Sequence, residues 1–208
     1  MSDSGPSVVL ATRNAHKVPE IRDILADEGV KLDLLGVADF PGVEDVAETG
    51  LTYEENSLLK ARAVAAATGL PALADDSGLS VDALNGMPGV FSGRWSGGHG
   101  DLANLNLLLA QLADVPDEHL GAAFVSVAAL VVPSINGVPG EITREGRVTG
   151  RLARHARGTQ GFGYDPIFVP HDDTRTLAEI TSAEKNAKSH RSAAFRAIAP
   201  LILPALTP

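Results

Sequence analysis

The sequence predicts an α/β protein, because short β-branched runs alternate with segments whose apolar residues have helical spacing. Residues 7–11 form an apolar run that predicts a first strand, and residues 18–25 then place Val, Ile and Leu at helical spacing. The chain has 208 residues, of which 44% are hydrophobic and 21% are charged. This length and composition indicate one globular domain over residues 1–208 with one main core.

Helix caps, breakers and periodicity predict the remaining elements. Thr52 and Glu55 have the spacing of a capping box that begins a second helix, and Gly69 and Pro71 end that helix. The other expected strands cover residues 30–35, 71–74 (ending at Asp75), 122–132 and 140–148. One further helix begins at Asp101, with leucines 102, 105, 108, 109 and 112 on one face, and another begins at Thr181 and breaks near Ser189. We expect a glycine-rich loop over 85–100 and a binding loop over 158–166.

Charge and composition exclude several classes of protein. A net charge of -9 disfavours duplex nucleic acid as a partner, although a few cations gathered in one place could still bind a small phosphorylated ligand. No apolar stretch is long enough for a membrane span, and the first residues do not have the pattern of a signal peptide. We therefore expect a cytoplasmic protein without membrane partners. The chain has no cysteine, which excludes thiolate metal sites and cysteine nucleophiles.

Residues 12–17 form a candidate phosphate-binding loop. They connect the first strand to the first helix, where free backbone N–H groups and the helix dipole favour an anion. Lys17 would add a full positive charge. Asn14 as a simple N-cap and Lys17 as a solvated lysine are equally compatible with this local sequence.

Asp75 and Asp76, with Glu48 upstream, are the main acidic candidates. Their hard carboxylate oxygens suit Mg²⁺, which prefers few protein ligands together with water and phosphates. Adjacent aspartates before Ser-Gly are also common in turns, so a structural role stays open. Lys60 follows Asn56 by four residues and shares its side of the second helix, although a solvated lysine is the commoner case.

Phe162 and the segment 189–191 are candidates for recognising a base. Phe162 lies between glycines, which allow a planar ligand to approach and stack on the ring. His190 and Arg191 are adjacent donors at an expected helix start, with Lys185 shortly before them. A hydrophobic plug and an exposed basic turn are the structural alternatives for the two segments.

Taken together, the motifs resemble the inosine triphosphatase, or Ham1-like, family of house-cleaning nucleoside triphosphate pyrophosphatases. The resemblance runs from about residue 8 to residue 196 and keeps the family's motif order. It rests on the sequences VLATRNAHK ending at Lys17, ETGLTYEEN ending at Asn56 with KAR after it, ADDSGL over 74–79, GFGYDP over 161–166, and EK at 184–185 with SHR at 189–191. Two mild departures are Arg13, where a small or polar residue is usual, and SGRW at 92–95 in place of SARY.

The resemblance implies hydrolysis of ITP, dITP and XTP to the monophosphate and pyrophosphate, with Mg²⁺ and in a homodimer. It implies a long mixed twisted sheet flanked by helices, in two lobes with the active site in a cleft between them. Asp76 matches the catalytic proton acceptor, Glu48 and Asp76 match the metal ligands, and Asp75 is a further metal candidate. The implied substrate contacts are Thr12, Arg13, Asn14, Ala15, His16, Lys17, Lys60, Ser77, Phe162, Gly163, Tyr164, Asp165, Lys185, His190 and Arg191.

Selectivity for the base follows from hydrogen-bond polarity. His190 and Arg191 would donate hydrogen bonds to a 6-oxo group, whereas the 6-amino group of adenine would leave a donor without an acceptor. Two alternatives stay open: a Maf-type pyrophosphatase acting on modified pyrimidine triphosphates, and a catalytically silent nucleotide-binding protein. The Ser-His-Arg motif favours the purine enzyme over the first, and the retained charged residues argue against the second.

Overall fold

The computed structural model describes residues 5–14, 17–133 and 140–207. Within these ranges the chain has an α/β fold, which confirms the predicted class. The strands are β1 (Ser7–Leu10), β2 (Asp33–Gly36), β3 (Ala72–Val81), β4 (Gly121–Val132), β5 (Gly140–Leu152) and β6 (Phe168–Pro170); the helices are α1 (Lys17–Asp27), α2 (Tyr53–Thr68), α3 (Asp101–Gln111), α4 (Ser182–Lys188) and α5 (His190–Leu206).

The six strands form one mixed sheet in the order β2-β1-β3-β4-β5-β6. β1 is parallel to both β2 and β3, whereas β5 and β6 are antiparallel. α1 connects β1 to β2, and α2 lies between β2 and β3. Parallel strands need such crossover connections, because a tight hairpin can join only antiparallel strands. The sheet is therefore mixed, as the resemblance implies.

The chain divides into two compact units. The first unit consists of Met1–Asp76, Ser126–Gly146 and Arg191–Pro208, and the second consists of Ser77–Val125 and Arg147–His190. In the first unit, one core joins β1, β3 and β4 to α1 and α5, and a separate core joins the same strands to α2. The second unit has its own core, which contains residues of α3, β4 and β6. The cleft implied by the resemblance stays a prediction.

The predicted caps are confirmed. The Thr52 side chain accepts a hydrogen bond from the Glu55 backbone N–H at 3.1 Å, and the Glu55 carboxylate accepts one from the Thr52 N–H at 3.2 Å. Gly69 ends α2 with a φ of 70°, a conformation that favours glycine. Thr181 and Glu184 form the same reciprocal cap on α4, and the helix breaks at Ser189 before α5 begins.

Three element predictions need correction. β3 does not end before Asp75 but continues through Asp75, Asp76 and Ser77 to Val81, because β4 lies beside it and β1 beside its first residues. Backbone pairing outweighs the turn-like composition of this segment. The second strand begins at Asp33 rather than at residue 30. Leu102 is 72% exposed, so the predicted apolar face of α3 is narrower than the leucine pattern suggests.

Candidate active site

Asp75 and Asp76 point to opposite faces of the sheet, because they are consecutive residues of β3. Asp75 shares its face with Leu73, which packs in the core with α1 and α5. Asp76 shares its face with Ala74, which packs in the core with α2. The two neighbouring carboxylates therefore meet different partners, although both are buried.

Asp75 is held by two cations. The Lys17 ammonium lies 2.8 and 2.9 Å from its two oxygens, and Arg191 Nε lies 3.2 Å from Oδ2. Arg191 also contacts both oxygens of Glu20 at 3.3 Å. Burial alone would raise the pKa of Asp75, but the charges of Lys17 and Arg191 outweigh it and hold the pKa well below its ordinary value. Asp75 is therefore an ionised carboxylate at neutral pH.

Asp76 has a different electrostatic environment. Lys60 Nζ donates to Asp76 Oδ1 at 3.1 Å and to Glu48 Oε1 at 2.8 Å, while Asn56 Nδ2 donates to Asp76 Oδ2 at 3.2 Å. Burial raises the pKa of Asp76; Lys60 opposes this shift, and the nearby Glu48 charge adds to it. The pKa of Asp76 is raised while that of Asp75 is lowered, so Asp76 is the better proton acceptor of the two.

A cavity of about 390 Å³ in the first unit is lined by Asp75, whereas Asp76 is not among its lining residues. It brings together segments that are distant in sequence, and seven predicted site residues line it: Thr12, Arg13, Asn14, Lys17, Glu48, Lys60 and Asp75. Residues 11–14 and Lys17, on either side of the link between β1 and α1, form part of its wall, and their phosphate-binding role stays a prediction. Ala15 and His16, also predicted there, lie outside the described residues.

Arg13 is already engaged with protein groups. Its Nε donates to Asp45, and its Nη2 donates to the Val43 carbonyl at 2.7 Å. The side chain is 52% exposed and the Asp45 side chain is 82% exposed, so the pair is a surface contact of small energetic value. Arg13 and Asp45 thus contribute an ion pair to the cavity wall.

Glu48 and Asp76 fit a divalent cation. Both carboxylates lie within 3.1 Å of the same Lys60 nitrogen, so their oxygens converge on one position. No group of three or more His, Asp or Glu side chains suited to a metal occurs in the described part of the chain. Magnesium commonly takes one or two protein carboxylates and completes its shell with water and phosphate oxygens, so two ligands suffice.

In the second unit, residues 161–165 form a loop, here called the Phe162 loop, around the Asp165 carboxylate. Asp165 Oδ2 accepts a hydrogen bond from the Phe162 N–H at 2.8 Å and one from the Lys185 ammonium. Gly161 has a φ of 73°, and a Cβ there would lie only 2.1 Å from the same oxygen. Phe162 is 62% exposed, with the Lys185 nitrogen 5.0 Å from the ring centre. The loop therefore presents an open aromatic face beside a cation.

Two further contacts fix this loop. Asp101, the first residue of α3, accepts a hydrogen bond from the Gly163 N–H at 3.1 Å. The Tyr164 hydroxyl donates to the Ser92 carbonyl at 3.0 Å. Burial, with the nearby Asp101 charge, raises the pKa of Tyr164, so the hydroxyl stays protonated and remains a donor.

His190 and Arg191 are neighbours in the chain but lie in different surroundings. The His190 ring stacks on Phe124 in the second unit, with ring centres 4.9 Å apart and planes 11° apart. Arg191 belongs to the first unit and pairs with Asp75 and Glu20. Its predicted contact with a base stays a prediction, while its ion pairs are additional to what the sequence indicated. Ser77, another predicted contact, is a half-buried residue of β3.

Sequence reasoning missed Glu20 and Asp101. Glu20 follows Lys17 by three residues on α1, so the two share a helix side, and this spacing could have indicated a shared role. Asp101 looked like an ordinary first-turn acid of α3, and no local signal connects it with Gly163. Its contact joins residues 62 positions apart.

The chain is similar to known proteins over nearly its whole length. A model of the Ham1 family matches residues 8–201. A dITP/XTP pyrophosphatase of Streptomyces coelicolor is 58% identical, with 94% of this chain and 96% of that protein covered. Among solved structures, a HAM1 protein from Coxiella burnetii has a TM-score of 0.87 at 39% identity, covering 96% of this chain and all of that one. A nucleoside-triphosphatase, or dITP/XTP pyrophosphatase, from Mycobacterium abscessus has a TM-score of 0.77 at 52% identity, covering 94% and 97%.

Proposed function

The chain belongs to the Ham1 family, and we propose that it hydrolyses the non-canonical purine nucleotides ITP, dITP and XTP to the monophosphate and pyrophosphate. It is a nucleoside triphosphate pyrophosphatase, the activity for which its relatives at 52 to 58% identity are named. The observation that carries the proposal is the cavity where Lys17, Lys60, Glu48 and Asp75 converge. Removal of these nucleotides would keep them out of the nucleotide pool.

The triphosphate is bound by residues of the first unit. Lys17 and Lys60 both line the cavity and neutralise phosphate charge, and the backbone after Thr12 leads to the positive end of α1. Attack of water on a triphosphate requires this neutralisation, because the reacting phosphorus is surrounded by negative oxygens.

Asp76 is the proton acceptor. Its carboxylate orients the attacking water and takes a proton as the water oxygen bonds to the α-phosphorus and the bond from that phosphorus to the bridging oxygen breaks. The leaving group is pyrophosphate. Asn56 fixes the second oxygen of Asp76 at 3.2 Å, which holds the carboxylate in place during this step.

Glu48 and Asp76 would hold Mg²⁺. Asp75 is a weaker candidate, since Lys17 and Arg191 already occupy its oxygens. When bound, the metal would stabilise negative charge on the phosphate oxygens.

The base is recognised by residues of the second unit. The exposed Phe162 ring offers a stacking surface, and Lys185 beside it supplies a donor. His190 supplies a donor for the 6-oxo group that hypoxanthine and xanthine share, and Arg191, although a residue of the first unit, is proposed as a further donor. Ser77, Gly163, Tyr164 and Asp165 are proposed to complete the contacts, with Asp165 acting through its hold on Phe162 and Lys185.

We further propose that the protein acts as a homodimer in the cytoplasm. Within the described residues, no helix is both long and apolar enough to cross a membrane. The net charge of -9 remains unfavourable for nucleic acid. Sedimentation equilibrium of the purified chain measures the oligomeric state directly.

The test is product analysis with a nucleotide panel. ITP, dITP and XTP should release pyrophosphate and the monophosphate in the presence of Mg²⁺ and not in EDTA, while ATP, GTP and methylated pyrimidine triphosphates should react far more slowly. Release of inorganic phosphate with a nucleoside diphosphate would contradict the proposed reaction. Preferential hydrolysis of the modified pyrimidine nucleotides would indicate a Maf-type activity instead.

A further inference from the structure

A charged cluster in the first unit consists of Lys17, Glu48, Lys60, Asp75, Asp76 and Arg191. One ammonium group joins two of its carboxylates. Lys60 Nζ lies 2.8 Å from Glu48 Oε1 and 3.1 Å from Asp76 Oδ1. The Lys60 side chain is 17% exposed and that of Asp76 is 9% exposed, so water screens this arrangement only partly. The Lys60 nitrogen therefore occupies the point on which the two carboxylates converge.

The same two carboxylates are the metal ligands of the proposed function, on which this inference rests. A divalent cation and an ammonium cannot both lie between these two carboxylates. Magnesium must contact the carboxylate oxygens at about 2.0–2.1 Å, and this leaves no room for the ammonium. We propose that Lys60 acts as a resident cation of the free protein, so that a metal ion binds Glu48 and Asp76 only when the ammonium leaves. Lys60 then sets the order of binding as well as contacting phosphate.

The structure offers Lys60 another position. Its side chain also lines the cavity with Lys17 and Thr12, where a triphosphate would supply anionic acceptors. A lysine stem is flexible enough to turn from one partner to another. An arriving triphosphate would draw the ammonium away and free the carboxylates for metal. By linkage, the metal and the triphosphate must then strengthen each other's binding by the same factor.

Asn56 makes this exchange possible without loss of the carboxylate geometry. Its Nδ2 binds Asp76 Oδ2, the oxygen that Lys60 does not use, and its Oδ1 accepts a hydrogen bond from the Gly50 N–H at 2.8 Å. The amide is therefore fixed at both ends and fully buried. Asp76 stays in place when Lys60 departs.

The test measures metal binding alone, without nucleotide, by calorimetric titration with MgCl₂ and MnCl₂. Lys60→Met keeps the apolar stem and removes the charge, and it should bind metal at least about tenfold more tightly than the wild type. Lys60→Gln is measured in parallel, so that poor folding of one variant does not decide the result. Arg13→Met is the matched control: it removes a cation from the same cavity wall, but that cation pairs with Asp45. Screening at this exposed site should limit its effect to about twofold.

A double variant tests whether the gain in metal affinity depends on Glu48. Adding Glu48→Gln to Lys60→Met should return the metal affinity to the wild-type value or below. The inference is overturned if both Lys60 variants bind metal no more tightly than the wild type, or if Arg13→Met gains as much. ITP hydrolysis by the wild type separates the two proposals: hydrolysis without a Lys60 effect on metal affinity leaves the proposed function standing and removes this inference alone.

Discussion

The charged cluster of the first unit and the Phe162 loop of the second unit are organised by different forces. In the charged cluster, buried carboxylates of β3 are each fixed by a lysine, and Arg191 adds a second cation to Asp75. In the Phe162 loop, carboxylates bind backbone N–H groups, and the aromatic ring itself is left 62% exposed. The first arrangement suits phosphate and metal chemistry, whereas the second suits reversible stacking of a planar base.

This difference leads us to expect that the two regions fail in different ways. Changes in the charged cluster should alter turnover or stability for every nucleotide alike, because phosphates and metal are common to all substrates. Changes in the Phe162 loop should weaken the binding of every purine nucleotide, because stacking does not distinguish planar bases, whereas changes at His190 should alter the preference among bases. The predictions below test this separation.

Asp76→Asn should have the largest effect on turnover. An amide cannot accept the proton of water, so kcat for ITP should fall about 100-fold or more at saturating Mg²⁺. Steady-state assays with ITP and ATP should show a similar proportional loss for both. Circular dichroism serves to confirm folding. If the variant retains more than about a tenth of the wild-type kcat, another carboxylate accepts the proton.

Asp75→Asn should act mainly on stability. Removing the charge leaves Lys17 and Arg191 without their shared carboxylate, which typically costs about 3–5 kcal/mol for a buried pair. Urea unfolding in EDTA measures the change. Asp172→Asn is the matched control, because Asp172 pairs with Lys188 at an exposed site and the loss should be small. Equal stability of the two variants would contradict the structural role of Asp75.

The same variant gives a pH prediction. The folded-state pKa of Asp75 lies below its ordinary value of 3.8. The contribution of the ionised Asp75 to the free energy of unfolding is therefore fully present well above pH 3.8, and it is lost as the pH falls toward the folded-state pKa. The difference in unfolding free energy between wild type and Asp75→Asn should shrink between about pH 5 and pH 2. A difference that stays constant over this interval would show that the carboxylate is not responsible.

His190→Phe should change selectivity. The substitution keeps an aromatic ring to stack on Phe124 and removes the N–H donors. Loss of one donor to the 6-oxo group costs about 1.5–3 kcal/mol, so kcat/KM for ITP should fall about 10- to 150-fold. Activity on ATP should fall much less. His119→Phe, at an exposed position of the second unit, is the control.

Asp101→Ala should have the smallest effect. It removes the acceptor that holds the Gly163 N–H, and a single neutral-to-charged hydrogen bond at an exposed site is worth about 1 kcal/mol. KM for ITP should rise about fivefold with kcat nearly unchanged. Asp114→Ala, which lies just after α3, should leave KM unaltered. An equal fall in kcat would assign Asp101 a part in the chemistry.

The sequence predicted the elements whose signals are local. The capping boxes at Thr52 and Thr181 placed the starts of α2 and α4 because each is a contact between residues three apart. The end of β3 was mispredicted because its Asp-Asp-Ser-Gly segment has the composition of a turn. The segment is a strand because it pairs with neighbouring strands, which the local sequence does not show. The alternation of β3 could have separated Asp75 from Asp76, as consecutive strand residues always face opposite ways.

The contacts that the site residues make were harder to predict from the sequence. Arg191 contacts Glu20 across 171 positions and Asp75 across 116, and no spacing rule connects such distant residues. The motifs showed which residue types are present, while the ion pairs that tune Asp75 and Asp76 depend on packing. The resemblance therefore implied Asp76 as the proton acceptor, whereas the opposite pKa shifts of Asp75 and Asp76 follow only from the structure.

The ratio of kcat/KM for ITP to that for ATP tests the separation of roles most directly. It should be measured at saturating Mg²⁺ in the wild type, in Lys17→Met and Lys60→Met from the charged cluster, and in Phe162→Ala and His190→Phe from the second unit. We predict that the ratio stays within about threefold of the wild type in the two lysine variants and in Phe162→Ala, since phosphate contacts and stacking on a planar ring are common to both substrates, and falls at least about tenfold in His190→Phe. A ratio that is unchanged in His190→Phe, or that falls equally in the lysine variants, would contradict the account.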